Sequence, residues 1–144
     1  MNNIERAAVT FREGFSCSQA VLSTFAPELG LDRETALRVA GAFGGGMART
    51  GQTCGAVTGA LMVIGLKHGQ TNADDKQSKE KTYALAREFL QRFQERHGAT
   101  LCPELLGYDI GDPQEMQLAK DKGLFTSLCP RLVADAAEIL KEIL

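Results

Sequence analysis

The chain has 144 residues, one domain by length and long enough to bury a core without disulfide or metal staples. Its 16 basic and 18 acidic residues leave a net charge of −2, which argues against the basic face that nucleic-acid binding requires. The apolar and charged fractions, 44% and 24%, are those of a globular protein rather than a disordered or membrane-embedded one.

The N-terminal segment MNNIERAAVTFREG lacks the basic-then-apolar order of a signal peptide, so a cytoplasmic location is expected. It reads instead as a first helix over Ile4–Arg12, with Ile4, Ala7, Ala8 and Phe11 on one stripe. Gly14 and Phe15 break it. Ser16 followed by Gln19 is a capping-box pattern, making Cys17 the first residue of a second helix that ends before Gly30. Asp32 caps a third helix running to Phe43, where a glycine run stops it.

The stretch Phe43–Gly59, FGGGMARTGQTCGAVTG, turns from a glycine-rich loop into an apolar helix. Thr53 is the expected cap, with Cys54 opening a fourth helix to about Lys67. Its apolar run Ala56–Leu66 is too short to span a bilayer and contains Thr58, Gly59 and Gly65, so no membrane insertion is expected. Gly55 and Gly59 share a face at i, i+4, a spacing that lets another backbone come close. Gly45 and Gly46 have the same use before the cysteine, and the run lacks the lysine and preceding strand of a phosphate-binding loop.

Asn72 is the expected cap of a long fifth helix that carries Tyr83, Ala86, Leu90 and Phe93 and ends at Gly98. Cys102-Pro103 opens a brief helix to Leu106, and Asp112-Pro113 another to about Lys122. Cys129-Pro130 opens the last, with Leu132, Val133, Ala136, Ile139, Leu140 and Ile143 inward. Residues 1–144 thus read as a single-domain all-α bundle of about five longer helices plus one or two short ones.

All four cysteines, Cys17, Cys54, Cys102 and Cys129, fall in the cap or first turn of four different helices, Cys102 and Cys129 at the N-cap ahead of a proline at the first position. Helix N-termini offer free N–H groups and partial positive charge, which favour thiolate over thiol. In a reducing compartment such thiols point to metal binding or redox chemistry rather than a structural disulfide framework. Four helix ends of about +0.5 each would offset the charge of about −2 left when four thiolates surround Zn²⁺ or an oxidised iron–sulfur core. No two cysteines stand at the C-x₂₋₄-C spacing of zinc fingers or common ferredoxins, so only tertiary folding can assemble the site.

Arg49 and Thr50 are the polar residues in position to support Cys54, by lowering a thiolate pKa or by hydrogen bonding to sulfur. His68 and His97 each end a helix, where a cation stabilises the C-terminus, and neither has a partner at ligand spacing. No acid–base pair is visible among the carboxylates Asp74, Asp75, Glu80, Glu88 and Glu95, which read as a solvated helix face, so nothing identifies an enzyme.

The order of motifs is similar to that of the C_GCAxxG_C_C family: Cys17 in Phe15-Ser16-Cys17-Ser18-Gln19-Ala20, then Cys54-Gly55-Ala56-Val57-Thr58-Gly59, then Cys102 and Cys129. Gly44-Gly45-Gly46-Met47 also resembles family sequence, and the resemblance covers nearly the whole chain. It implies a redox-active protein with a prosthetic group such as an iron–sulfur cluster, absent from an oxidised apo form. Three uses of the same cysteines follow as expectations: cluster ligation with electron transfer, dithiol–disulfide exchange in one of three pairings, or a structural Cys₄ zinc site. A redox protein implies a redox partner protein, and the glycine-rich and apolar helix faces accommodate a homodimer.

Overall fold

The computed structural model describes residues 1–144, and its elements are helices. Helix α1 (Asn3–Arg12) starts at Asn2, whose side chain accepts the Glu5 N–H at 2.9 Å. Helix α2 (Cys17–Phe25) starts at the expected capping box, where Ser16 Oγ accepts from the Gln19 N–H and Gln19 Oε1 accepts from the Ser16 N–H. A 3₁₀ turn, Pro27–Leu29, leads through Gly30 at φ 91° to α3 (Arg33–Val39), capped by Asp32.

Helix α3 stops four residues short of the expected Phe43. Ser18 Oγ donates to the Ala40 carbonyl at 2.9 Å and Gln19 Nε2 to the Leu37 carbonyl at 3.0 Å. These bonds satisfy carbonyls at the end of α3 from α2, so the chain leaves the helix without leaving them unpaired. Helix α4 (Gly55–His68) has Cys54 itself, not Thr53, at its N-cap. Helix α5 (Lys76–His97) is capped by Asp75, which accepts from the Ser78 N–H, while Asn72 accepts from the Asp74 N–H in the preceding turn.

Three short helices follow: α6 (Cys102–Leu106), α7 (Pro113–Asp121) and α8 (Leu124–Ser127). The single-turn α8, absent from the sequence expectation, is entered through Gly123 at φ 70°. Helix α9 (Cys129–Ile143) completes the chain. The N-caps of α6 and α9 are Leu101 and Leu128, so Cys102 and Cys129 lie one position inside the helix and each proline is second. The expected cap positions of these cysteines are corrected by one residue, which keeps both in the first turn.

The core is built from α2, α4, α5 and α9, with α1 across α2 and α9. Leu22, Val57, Ile64, Phe89, Phe93, Leu132 and Ile139 are fully buried there, each stabilising by about 1.5–3 kcal/mol. The glycine pair of α4 sets its contact with α2. A Cβ at Gly59 would lie 2.8 Å from the Ser18 carbonyl oxygen, and one at Gly55 would lie 2.9 Å from the Ser18 nitrogen. The two backbones touch, as the i, i+4 spacing predicts, and this contact carries Cys17 to Cys54. On the far side, Arg92 and Arg96 of α5 pair with Asp135, Glu138 and Glu142 of α9, while His97 packs on Phe93 and faces Asp135 at 3.0 Å. No helix is long and apolar enough to cross a membrane.

Candidate functional site

Between α3 and α4 the chain takes a conformation that its residue types do not announce. Gly45, Gly46, Met47, Ala48 and Arg49 all have φ between 58° and 74°, one left-handed helical turn. It is closed by the Met47 N–H to the Phe43 carbonyl and the Ala48 N–H to the Gly44 carbonyl. For L-residues this costs about 1–2 kcal/mol each, so the three non-glycine members store strain. Thr50 Oγ1 donates to the Gly46 and Met47 carbonyls, which assigns Thr50 to holding the turn rather than to a cysteine. The turn presses on the site from behind: a Cβ at Gly46 would lie 2.8 Å from Cys102 Cβ and equally close to the Gln52 carbonyl oxygen.

After the turn, residues 52–54 run antiparallel to residues 100–102. Thr53 bridges Leu101, the Cys54 N–H donates to the Thr100 carbonyl at 2.8 Å, and the Cys102 N–H donates to the Gln52 carbonyl at 2.9 Å. Backbone pairing thus fixes Cys54 and Cys102 side by side. Cys17 reaches the same place through the α2–α4 contact, its Cβ 3.1 Å from where a Gly55 Cβ would be. The packing of α9 on α2 and α4 brings in Cys129.

The four cysteines line one cavity of about 860 Å³, together with Gly44, Gly45, Arg49 and Gly55. Gly46 and Gly59 sit behind it as close-packing positions, and Thr50 is outside its lining. All four thiols are free; Cys54, Cys102 and Cys129 are buried and Cys17 is half-buried. No three His, Cys, Asp or Glu side chains are gathered closely enough to hold a single metal ion as they stand.

The thiols are electrostatically one system. Hydrogen bonding with Cys129 and Cys54, followed by burial, holds the Cys17 proton on well above the usual thiol range. The same Cys17 hydrogen bond lowers Cys54, which also accepts from the backbone N–H groups of Ala56 and Val57 in the first turn of α4. Cys54 is therefore the thiol whose proton the site loosens, and Cys17 the neighbour whose proton it holds. Burial pushes Cys102 up to about 12, with the charges of Cys54, Cys129 and Asp109 adding to it.

Several lining residues had no marker in the sequence. Phe11, Arg12, Phe15, Ile110, Met116 and Phe125 are among them. Phe11 read as part of the first helix's apolar stripe and Arg12 as its last residue, and nothing local distinguishes them. His68 and His97 take no part in the cavity, as their helix-end positions imply.

The family model of C_GCAxxG_C_C, described as "Putative redox-active protein", matches residues 15–143, and the chain belongs to that family. No curated protein and no solved structure matches it.

Proposed function

We propose that the protein is a redox protein whose centre is the quartet Cys17, Cys54, Cys102 and Cys129, and that these residues ligate an iron–sulfur cluster. The observation that carries this reading is the convergence of four free thiols, from four helix first turns or caps, on one cavity. The donor set fits the group: no histidine or carboxylate lines the cavity, and thiolate-only ligation is what such clusters take. When bound, the cluster would supply one-electron transfer. The chain's own part is to offer the Ala56 and Val57 N–H groups to Cys54 sulfur and to surround the thiols with apolar side chains such as Phe11 and Leu132. A redox partner protein in a reducing, cytoplasmic setting completes the proposal.

Anaerobic purification followed by an absorption spectrum and iron and sulfide assays tests it. Bound iron and acid-labile sulfide are expected; a colourless, iron-free protein refutes the cluster. Zinc without iron would replace electron transfer with a structural role.

Cys17 lies at the α2–α4 contact against Gly55, next to Cys54, and its interaction with Cys54 lowers the Cys54 thiol, which favours a second reading, dithiol–disulfide exchange. Cys54 thiolate would attack a disulfide of the partner protein, expelling one partner thiolate and forming a mixed disulfide. Cys17, losing its proton, would then attack Cys54 sulfur, leaving a Cys17–Cys54 disulfide and a fully reduced partner. Thiol titration before and after reductant separates the readings: two extra thiols appear on reduction only if the pair cycles.

A further inference from the structure

The cavity is larger than four thiols require. The cysteines share its lining with the apolar side chains of Phe11, Phe15, Leu105, Ile110, Met116 and Phe125, and with Arg12 and Arg49, which are exposed. At about 860 Å³ it falls within the size of pockets that enclose small organic ligands, about 300–1,000 Å³. No Asp, Glu, Lys or His lines it.

Both arginines lack a protein partner. Glu34, Glu88, Asp135, Glu138 and Glu142 pair with Arg38, Arg92 and Arg96, whereas no carboxylate pairs with Arg12 or Arg49. Neither guanidinium donates a hydrogen bond to any side chain or carbonyl. Arg49 is moreover placed at a cost. It ends the strained left-handed turn, with its Cγ 2.8 Å from where a Gly45 Cβ would be, so only glycine there lets the side chain lie along the cavity. Two unpaired forks in the lining of a mostly apolar cavity complement a molecule with an apolar body and one anionic group.

We infer that this cavity binds a small aromatic or similarly apolar organic anion, its body against the phenylalanine side chains and its carboxylate or sulfonate on Arg12 and Arg49. Binding stands on the lining residues alone; use of that molecule as the centre's electron donor or acceptor rests on the redox reading above. Arg49 and Arg12 are binding residues in this assignment, and the left-handed turn is the device that presents one of them.

Isothermal titration calorimetry of the reduced protein with 2-naphthoate, and with the neutral 2-naphthamide, tests the inference. Saturable 2-naphthoate binding is expected, with the amide weaker by about tenfold or more, the size of one charge-assisted hydrogen bond. Arg12→Gln and Arg49→Gln should each lose about the same factor, while Arg87→Gln, on the exposed face of α5, should lose none. Binding should also slow alkylation of Cys17. No saturable heat, or equal affinity for acid and amide with the arginine variants unaffected, overturns it. Iron and sulfide are assayed on the same samples, so naphthoate binding without iron retires only the cluster, and iron without binding retires only this inference.

Discussion

Replacing Gly59 and Gly65 by alanine, one at a time, should move stability in opposite directions although both lie on α4. Each substitution gains about 1 kcal/mol from helix propensity and the reduced freedom of the unfolded chain. At Gly65 nothing lies within 4 Å of the new Cβ, so that gain stands alone and the variant should be more stable. At Gly59 the Cβ would meet the Ser18 carbonyl oxygen at 2.8 Å, Ser18 Cα at 3.1 Å and Val21 Cβ at 3.2 Å. Two of these are backbone atoms of α2 and cannot swing aside, so the helices must part, at a typical overpacking cost of about 1–3 kcal/mol. Because the propensity gain is common to both variants, the gap between them isolates the overpacking cost. With a urea slope of about 2 kcal/mol per molar for a small domain, the midpoints should differ by about 0.5–1.5 M. Urea denaturation of the two variants, followed by far-UV circular dichroism, measures it. If Gly59→Ala stabilises as much as Gly65→Ala, the α2–α4 backbone contact that carries Cys17 to Cys54 is wrong.

Other substitutions probe the site from different sides. Gly46→Ala places a methyl against Cys102 Cβ and the Gln52 backbone at a φ of 74°, so it should cost about 3 kcal/mol in denaturant unfolding. An effect below about 0.5 kcal/mol would contradict the close packing behind Cys102. Ala48→Gly relieves a left-handed alanine at φ 58°, ψ 37°, and after the entropy of the unfolded glycine it should stabilise by about 0.5–1 kcal/mol. A clear destabilisation would refute the left-handed turn. In the reduced, metal-free protein the thiols set opposite pH slopes. Cys54, lowered in the fold, contributes stability that is present above the ordinary thiol value of 9.0 and lost as pH falls through its folded value. Cys102, raised to about 12, contributes stability that is present below 9.0 and lost as pH rises toward 12. Melting temperature against pH should therefore fall on the alkaline side, and Cys102→Ala should flatten that fall; an unchanged slope would remove Cys102 as its source.

What could be read from the residues was local. The Ser16–Gln19 box, the Cys-Pro starts and the i, i+4 glycines each act within one or two turns, so they located three helix starts and a face of α4 that another backbone approaches. The shared cysteine site was reached by counting helix termini rather than by spacing, and folding does bring those termini to one cavity. Three features escaped because their causes lie elsewhere in the chain. Residues 52–54 pair with 100–102 across a long separation, through a single bridge too short for an alternating pattern. Met47, Ala48 and Arg49 are ordinary right-handed residues by type; only the packing of Gly45, Gly46 and Gly111 around them, Gly111 lying against the Arg49 carbonyl, selects the left-handed turn. Asp75 takes the cap expected of Asn72 because its side chain reaches Ser78 while Asn72 is used one turn earlier.

The central claim is that Cys17, Cys54, Cys102 and Cys129 act as one centre. Four single Cys→Ser variants, purified anaerobically beside the parent protein and assayed for iron and acid-labile sulfide, test it most directly. If the four thiols hold one cluster, each variant should lose most of the bound iron and sulfide while keeping its helical circular dichroism. A folded variant that retains the parent content would remove that cysteine from the centre and contradict the account.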